Sequence, residues 1–120
     1  MNYRFPKSEK LKSRKAIEQL FTENKSFTHF PLKVIYLSDY QNTKNQAAFS
    51  VPKRNFKSAV ERNRIKRQMR EAYRLNKNII EQKEEKKLAV LFLYLAKEKL
   101  PYATIEKAMI SILGKLKSTL

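Results

Sequence analysis

The sequence predicts a small α+β protein in which helices cover one small sheet. Two observations predict this class. Apolar residues recur at helical spacing in three segments, and three other runs have the length and the β-branched, aromatic or apolar character of strands. A chain of 120 residues with 42% apolar residues suits a single domain, 1–120, with one modest core. We expect a two-layer sandwich with the order α-β-β-α-β-α, and one more short strand near 24–29 is left open.

The first helix is predicted over 14–24. Ser13 can accept a hydrogen bond from the first turn, and Ile17, Leu20 and Phe21 fall on one face of the helix. This apolar face should pack against the sheet.

Two strands of a hairpin are predicted next. The run 32–37 is rich in β-branched and aromatic residues and follows Pro31, and the run 47–51 has similar character. The segment 39–46 between them is polar and typical of a turn, so the two strands are expected to pair with each other.

The second half of the chain is predicted to hold two helices and a buried strand. Ser58 and Glu61 form a capping box that starts a helix running to about Leu75. After a mixed-charge stretch at 81–87, the apolar run 88–95 fits a central strand covered on both faces. The last helix, 102–118, carries a core-facing stripe of Ile105, Ala108, Met109, Ile112, Leu113 and Leu116.

The charge of the chain indicates a polyanionic partner. There are 27 Lys and Arg residues against 11 Asp and Glu residues, a formal net charge of +16. Self-repulsion of this size destabilises a compact fold unless a polyanion offsets it. Cysteine is absent, which excludes disulfide and zinc–thiolate chemistry. Because no apolar run could span a membrane and the start lacks a signal-peptide stretch, a cytoplasmic location is expected.

Basic residues concentrate on one side of the second predicted helix. Between Lys53 and Lys77 the chain has ten cations and two anions, whereas a merely solvated helix usually mixes the signs at i, i+4. At about 100° per residue the cations share an arc of about 140°, which excludes Arg64, and the apolar residues fall elsewhere. The predicted nucleic-acid-binding residues are Lys53, Arg54 and Lys57 in the preceding loop, and Arg62, Asn63, Lys66, Arg67, Arg70 and Arg74 on the helix. The cations suit phosphate oxygens, whereas the neutral amide of Asn63 can reach a base edge or a ribose hydroxyl.

A second surface is predicted beside the basic helix, as a groove lined by Ile17, Phe21, Tyr36 and Phe49. Aromatic faces stack on unpaired bases whatever their sequence. The alternative, that these four residues belong to an ordinary core, is left open.

Catalytic and metal-binding residues are not expected in this chain. His29 is the only histidine and Asp39 the only aspartate, and the spacing of the glutamates suggests no two-metal site. If nucleic acid is cleaved, a partner should supply the chemistry.

The segment from Lys53 to Glu71 resembles the signature of the bacterial ribonuclease P protein subunit. That family has a basic pair, a short loop ending in Ala-Val and then Arg-Asn-Arg-x-Lys-Arg-x-x-Arg, which in this chain is the run from Arg62 to Arg70. The order of elements is also similar from Leu11 to about Lys117.

The resemblance implies an α-β-β-β-α-β-α fold akin to the second domain of a small-subunit ribosomal protein. It also implies a rare left-handed βαβ crossover through the basic helix, where the usual hand is right. Phe21 matches a leader-groove position and Ile17 stands where many members have Phe. The groove position on the first long strand is assigned to Tyr36, although Ile35 fits the register as well.

The function that the resemblance implies is that of the ribonuclease P protein subunit. The partners are ribonuclease P RNA and precursor tRNA, with no membrane and no obligate protein partner. The resemblance implies that the RNA subunit removes the 5′ leader with Mg²⁺ ions bound mainly by the RNA, and that the protein assists.

An alternative hypothesis is a structural ribosomal or other RNA-binding protein of the same broad fold with no role in processing. It predicts co-sedimentation with ribosomes and no stimulation of tRNA processing. A DNA-binding repressor helix lacks the neighbouring helix that a helix-turn-helix needs. A membrane-surface helix would need larger apolar residues than Ile65, Met69 and Ala72.

Overall fold

The computed structural model describes residues 3–40, 44–81 and 87–119. Within these ranges the elements are α1 (Arg14–Glu23), β1 (Lys25–His29), β2 (Leu32–Tyr40), β3 (Gln46–Ser50), α2 (Ala59–Asn76), α3 (Asn78–Glu81), β4 (Lys87–Tyr94) and α4 (Tyr102–Thr119), preceded by a 3-10 turn at Lys7–Glu9. The α+β class and the short strand near 24–29 are confirmed, and α3 was not predicted. Of the predicted polar segments, residues 41–43 and 82–86 lie outside the described residues.

Helix boundaries follow local capping chemistry. Ser13 Oγ accepts a hydrogen bond from the Ala16 amide at 3.2 Å, and Ser58 Oγ accepts one from the Glu61 amide at 3.4 Å. Helix α1 ends at Asn24, which has a left-handed φ of 51° and whose amide donates to the Leu20 carbonyl. These short-range contacts explain why the predicted starts of α1 and α2 are confirmed.

The strand order in the sheet is β1-β2-β4-β3. Strands β1 and β2 are antiparallel, as are β2 and β4, whereas β3 runs parallel to β4. The predicted hairpin of β2 with β3 is therefore wrong. Strand β4 lies between β2 and β3, so these two strands do not pair. Its nearly continuous apolar run suits this position, because both of its faces are covered. The β3-α2-β4 crossover agrees with the resemblance, and its hand stays a prediction.

Helices lie on both faces of the sheet. One face packs against α2 and α4 through side chains such as Val34, Val90 and Phe92, and the predicted stripe of α4 is buried there. The other face packs against α1, whose buried Leu20 meets Ile35 and its neighbours. Helix α1 thus stands outside the two layers of the predicted sandwich. No helix in the described part of the chain is long and apolar enough to cross a membrane.

Candidate nucleic-acid interface

Helix α2 presents the basic side predicted from its spacing. Ile65, Met69, Ala72 and Tyr73 are buried against the sheet and α4, and this fixes which side of the helix meets solvent. On the outer side Asn63, Arg67 and Arg70 are exposed and Lys66 is half-buried. Within the described residues no carboxylate forms an ion pair with these three cations. Their positive charge is therefore directed to solvent, where a phosphate can meet it.

Arg62 has a second role inside the protein. Its Nη1 donates hydrogen bonds to the carbonyl oxygens of Phe56 at 2.7 Å and Lys57 at 2.9 Å. Phe56 is buried and packs against Tyr94 with ring centroids 5.9 Å apart. Arg62 and Phe56 together therefore hold the basic loop against the start of α2. The exposed side chains of this loop, which we call the basic lead-in, are Lys53, Arg54 and Lys57.

Arg74 differs from the other predicted contact residues. Its guanidinium forms an ion pair with Glu71 and donates from Nη1 to the Tyr3 carbonyl at 2.7 Å. The hydrogen bond from Arg74 lowers the pKa of Glu71, so this carboxylate is ionised at neutral pH. Arg74 therefore fastens the N-terminal segment to α2, and its positive charge is offset by Glu71.

Lys77 is the last cation of the basic segment in sequence, but its side chain is buried rather than exposed. Its Nζ lies 2.6 Å from Glu9 Oε1 and also donates to the Arg4 carbonyl. Sequence spacing offers no signal for this role, because the partner is 68 residues away in the chain.

The N-terminal segment, residues 3–11, lies along the free edge of β3. Lys10 forms a parallel bridge with Ala47, and the Leu11 amide donates to the Ala47 carbonyl at 2.9 Å. Phe5 makes edge contacts with Phe49 and Tyr73 at 5.9 and 5.7 Å. The segment thus covers the sheet edge and sets where α1 begins.

A groove follows α1 on the opposite face of the sheet from α2. The strand registers place Thr28, Lys33, Leu93 and Ser50 in one row across the sheet, on the same face as the residues under α1. Ile35 and Leu91 in the next row are buried by α1, whereas Lys33, Leu93 and Ser50 are half-exposed. The row is therefore the floor of an open groove beside the helix.

Helix α1 supplies the wall of this groove. Ile17 is half-buried and packs with the cluster that contains Leu93, and Phe21 is 53% exposed. The structure thus brings together two of the four residues predicted to line a groove. The polar floor residue Lys33 was missed, because a lysine inside an apolar strand gives no sign of its face until the register is known.

Tyr36 and Phe49 face away from this groove, so that part of the prediction is wrong. Tyr36 is 7% exposed and stacks on Phe27 at 5.4 Å, and Phe49 stacks on Phe92 at 5.6 Å, all in the cluster beneath α2 and α4. Successive side chains of a strand point to opposite faces of the sheet. An assignment that is wrong by one residue therefore places a core side chain in the groove. Ile35 holds the groove-side position on β2.

The groove and the basic lead-in meet at one end of the sheet. Ser50, at the edge of the groove floor, is the last residue of β3, and Lys53 follows three residues later. An extended strand of nucleic acid lying in the groove would therefore reach the basic lead-in and then the start of α2.

Comparison with known sequences supports the resemblance seen in the basic segment. Residues 5–117 match the family model described as Ribonuclease P. The chain is 38% identical over 108 residues to the ribonuclease P protein component of Porphyromonas gingivalis, covering 86% of this chain and 79% of that protein. It is 41% identical over 76 residues to the ribonuclease P protein component of Chlorobium phaeobacteroides, covering 59% of this chain and 52% of that protein.

Comparison with solved structures supports the fold. The RNase P protein from Thermotoga maritima has a TM-score of 0.73 at 22% identity, with 89% of this chain and 96% of that chain covered. The RNase P protein of Staphylococcus aureus has a TM-score of 0.71 at 22% identity, with 91% and 95% covered. These structural matches extend over nearly the whole chain and show the fold. The family model and the 38% identical relative favour the ribonuclease P hypothesis over a ribosomal one.

Proposed function

This chain belongs to the ribonuclease P protein family, and we propose that it assists removal of the 5′ leader from precursor tRNA as the protein subunit of ribonuclease P. Its membership supports a part in an endoribonuclease complex. The partners we assign to it are the ribonuclease P RNA and precursor tRNA. The RNA carries the chemistry, and the protein binds and orients.

One observation carries this proposal: an open groove and a row of exposed cations meet at the same end of the sheet. The groove beside α1 suits an unpaired strand, because Phe21 offers a ring for a base and Lys33 offers a charge for a phosphate. The basic lead-in and the outer side of α2 suit the backbone of a folded RNA. Binding both lowers the repulsion between catalytic RNA and substrate.

Magnesium is assigned to the RNA rather than to this chain. Magnesium prefers oxygen ligands in near-octahedral geometry and is usually bound through carboxylates together with phosphates. Within the described residues no three His, Cys, Asp or Glu side chains come together as a metal-binding group. We propose that the RNA holds the ion and that the protein neutralises phosphate charge nearby.

Reconstitution tests the proposal. We expect the full chain, mixed with a bacterial ribonuclease P RNA, to increase precursor-tRNA cleavage at low Mg²⁺ relative to the RNA alone. A structural ribosomal protein would instead co-sediment with ribosomes and leave cleavage unchanged, and that result would overturn the proposal.

A further inference from the structure

A separate cleft lies between α2 and the start of α4. It is lined by Arg64, Arg67, Gln68 and Glu71 of α2 and by Tyr102 of α4. The four α2 residues are spaced i, i+3, i+4 and i+7, so they share one flank of the helix. This flank faces α4, and the sheet separates it from the groove beside α1.

Tyr102 forms a fixed aromatic wall of the cleft. Its hydroxyl donates to Glu106 Oε2 at 3.3 Å, and Asn76 Nδ2 donates to the same oxygen at 3.2 Å. Burial raises the pKa of Tyr102 to about 12, and the nearby carboxylate of Glu106 adds to the shift. The hydroxyl is therefore protonated at neutral pH, and the ring is held in place before any ligand arrives.

The charges around the cleft favour an anion. Arg64 and Arg67 are both exposed, whereas the carboxylate of Glu71 is held by Arg74. Pairing with Arg74 offsets the negative charge of Glu71. The two exposed guanidinium groups therefore make the net charge of the cleft positive. Guanidinium groups bind phosphate oxygens in bidentate fashion.

We propose that this cleft binds one unpaired nucleotide of an RNA strand, with its base stacked on Tyr102 and its phosphate held by Arg64 and Arg67. The amide of Gln68 offers both a donor and an acceptor to the base edge. Arg64 lies outside the arc of the outer basic side, so this site extends RNA binding to a second flank of α2. Arg67 borders both surfaces.

Nuclear magnetic resonance of the free chain tests this proposal without precursor tRNA, so its outcome is separate from that of the processing assay. With labelled tyrosine rings, a single-stranded adenosine trinucleotide should shift the Tyr102 ring signal by stacking, whereas inorganic phosphate should not. Equal shifts with both probes would show an anion site only and would overturn the nucleotide assignment.

Variants separate the ring from the charges. Tyr102→Phe keeps the ring and should bind the trinucleotide within about twofold, whereas Tyr102→Leu should bind at least about fivefold more weakly. Arg64→Ala, an exposed change, should weaken the Tyr102 response without lowering the melting temperature. Lys115→Ala is the control, because it removes one exposed cation about 20 Å along α4. If Arg64→Ala and Lys115→Ala give the same Tyr102 shifts, the proposal fails.

Discussion

Lys77 Nζ lies 2.6 Å from Glu9 Oε1, and both residues are almost completely buried. This ion pair fastens the N-terminal segment to the end of α2, while Leu11, two residues beyond Glu9, is bonded to β3 and leads into α1. The pair therefore helps to determine where the wall of the groove stands. Lys77, a residue of the basic segment, thus helps to position α1 on the opposite face of the sheet.

Removing one partner of this pair should destabilise the fold. Lys77→Met leaves the Glu9 carboxylate buried without its cation, at an expected cost of about 3–5 kcal/mol. Chemical denaturation measures the change in unfolding free energy. The double variant Lys77→Met with Glu9→Leu should recover part of the loss, since it leaves no uncompensated charge. A single variant that loses less than about 1 kcal/mol would contradict the structural role.

Arg62→Ala should reduce both stability and RNA affinity. Arg62 donates two hydrogen bonds to carbonyls of the basic lead-in, so its loss should cost about 1–2 kcal/mol of unfolding free energy, allowing for its partial exposure. Arg67→Ala is the matched control, because Arg67 is exposed and its loss should reduce affinity alone. Denaturation and RNA binding measured side by side check this. Equal stability of the two variants would show that Arg62 does not position the loop.

RNA affinity should depend steeply on salt. With about six phosphate contacts, affinity for ribonuclease P RNA should fall on the order of 10³-fold between 50 and 200 mM salt. Arg70→Ala should reduce the slope of log affinity against log salt by about 0.9. Lys115→Ala, an exposed cation on α4, should leave the slope unchanged. A flat salt response of the unaltered chain would refute the phosphate contacts.

Replacing Phe21 by alanine should weaken RNA binding with little change in stability, whereas replacing Phe49 by alanine should lower the stability of the fold. Phe21→Ala should weaken binding of precursor tRNA with its leader by at least about fivefold, because a stacked base is lost, and should leave mature tRNA binding unchanged. Its exposure makes a stability change above about 0.5 kcal/mol unexpected. Phe49→Ala should instead cost about 3 kcal/mol of stability, since its ring packs against Phe92 and Tyr73.

The control for Phe21 is Ile110→Ala. Ile110 is 42% exposed on α4, on the other side of the sheet. If Ile110→Ala and Phe21→Ala reduce leader-dependent binding equally, the groove beside α1 is not the leader site.

Stability should fall at alkaline pH partly through Tyr102. Its folded-state pKa is raised to about 12 from an unfolded value of about 10. The stabilisation that comes with this shift is fully present below about pH 10 and is lost as the pH rises towards 12. Tyr102→Phe should therefore show a smaller loss of unfolding free energy between about pH 9 and pH 12. Identical profiles for the unaltered chain and for Tyr102→Phe would contradict this prediction.

Short-range patterns made much of the fold and of the exposed basic side of α2 predictable. The caps at Ser13 and Ser58 depend on contacts within one turn, and the stripe of α4 repeats over about three turns of a single helix, so spacing alone reveals them. The outer side of α2 follows for the same reason, since its buried and exposed arcs come from one helical period. The family signature of the basic segment is likewise local.

Only the tertiary structure decided which strands pair and which face each side chain meets. Strand β3 pairs with β4 across α2 rather than with β2, and one step of register places Ile35 beneath α1 and Tyr36 in the opposite core. Such choices depend on long-range packing. A period-two alternation does not show which set of side chains faces which helices until the helices have packed on the sheet. The sequence by itself determined that α2 carries a dense positive charge, because charge follows from residue type alone. The fold decided that Arg62 and Lys77 hold the protein together while Arg67 and Arg70 face solvent.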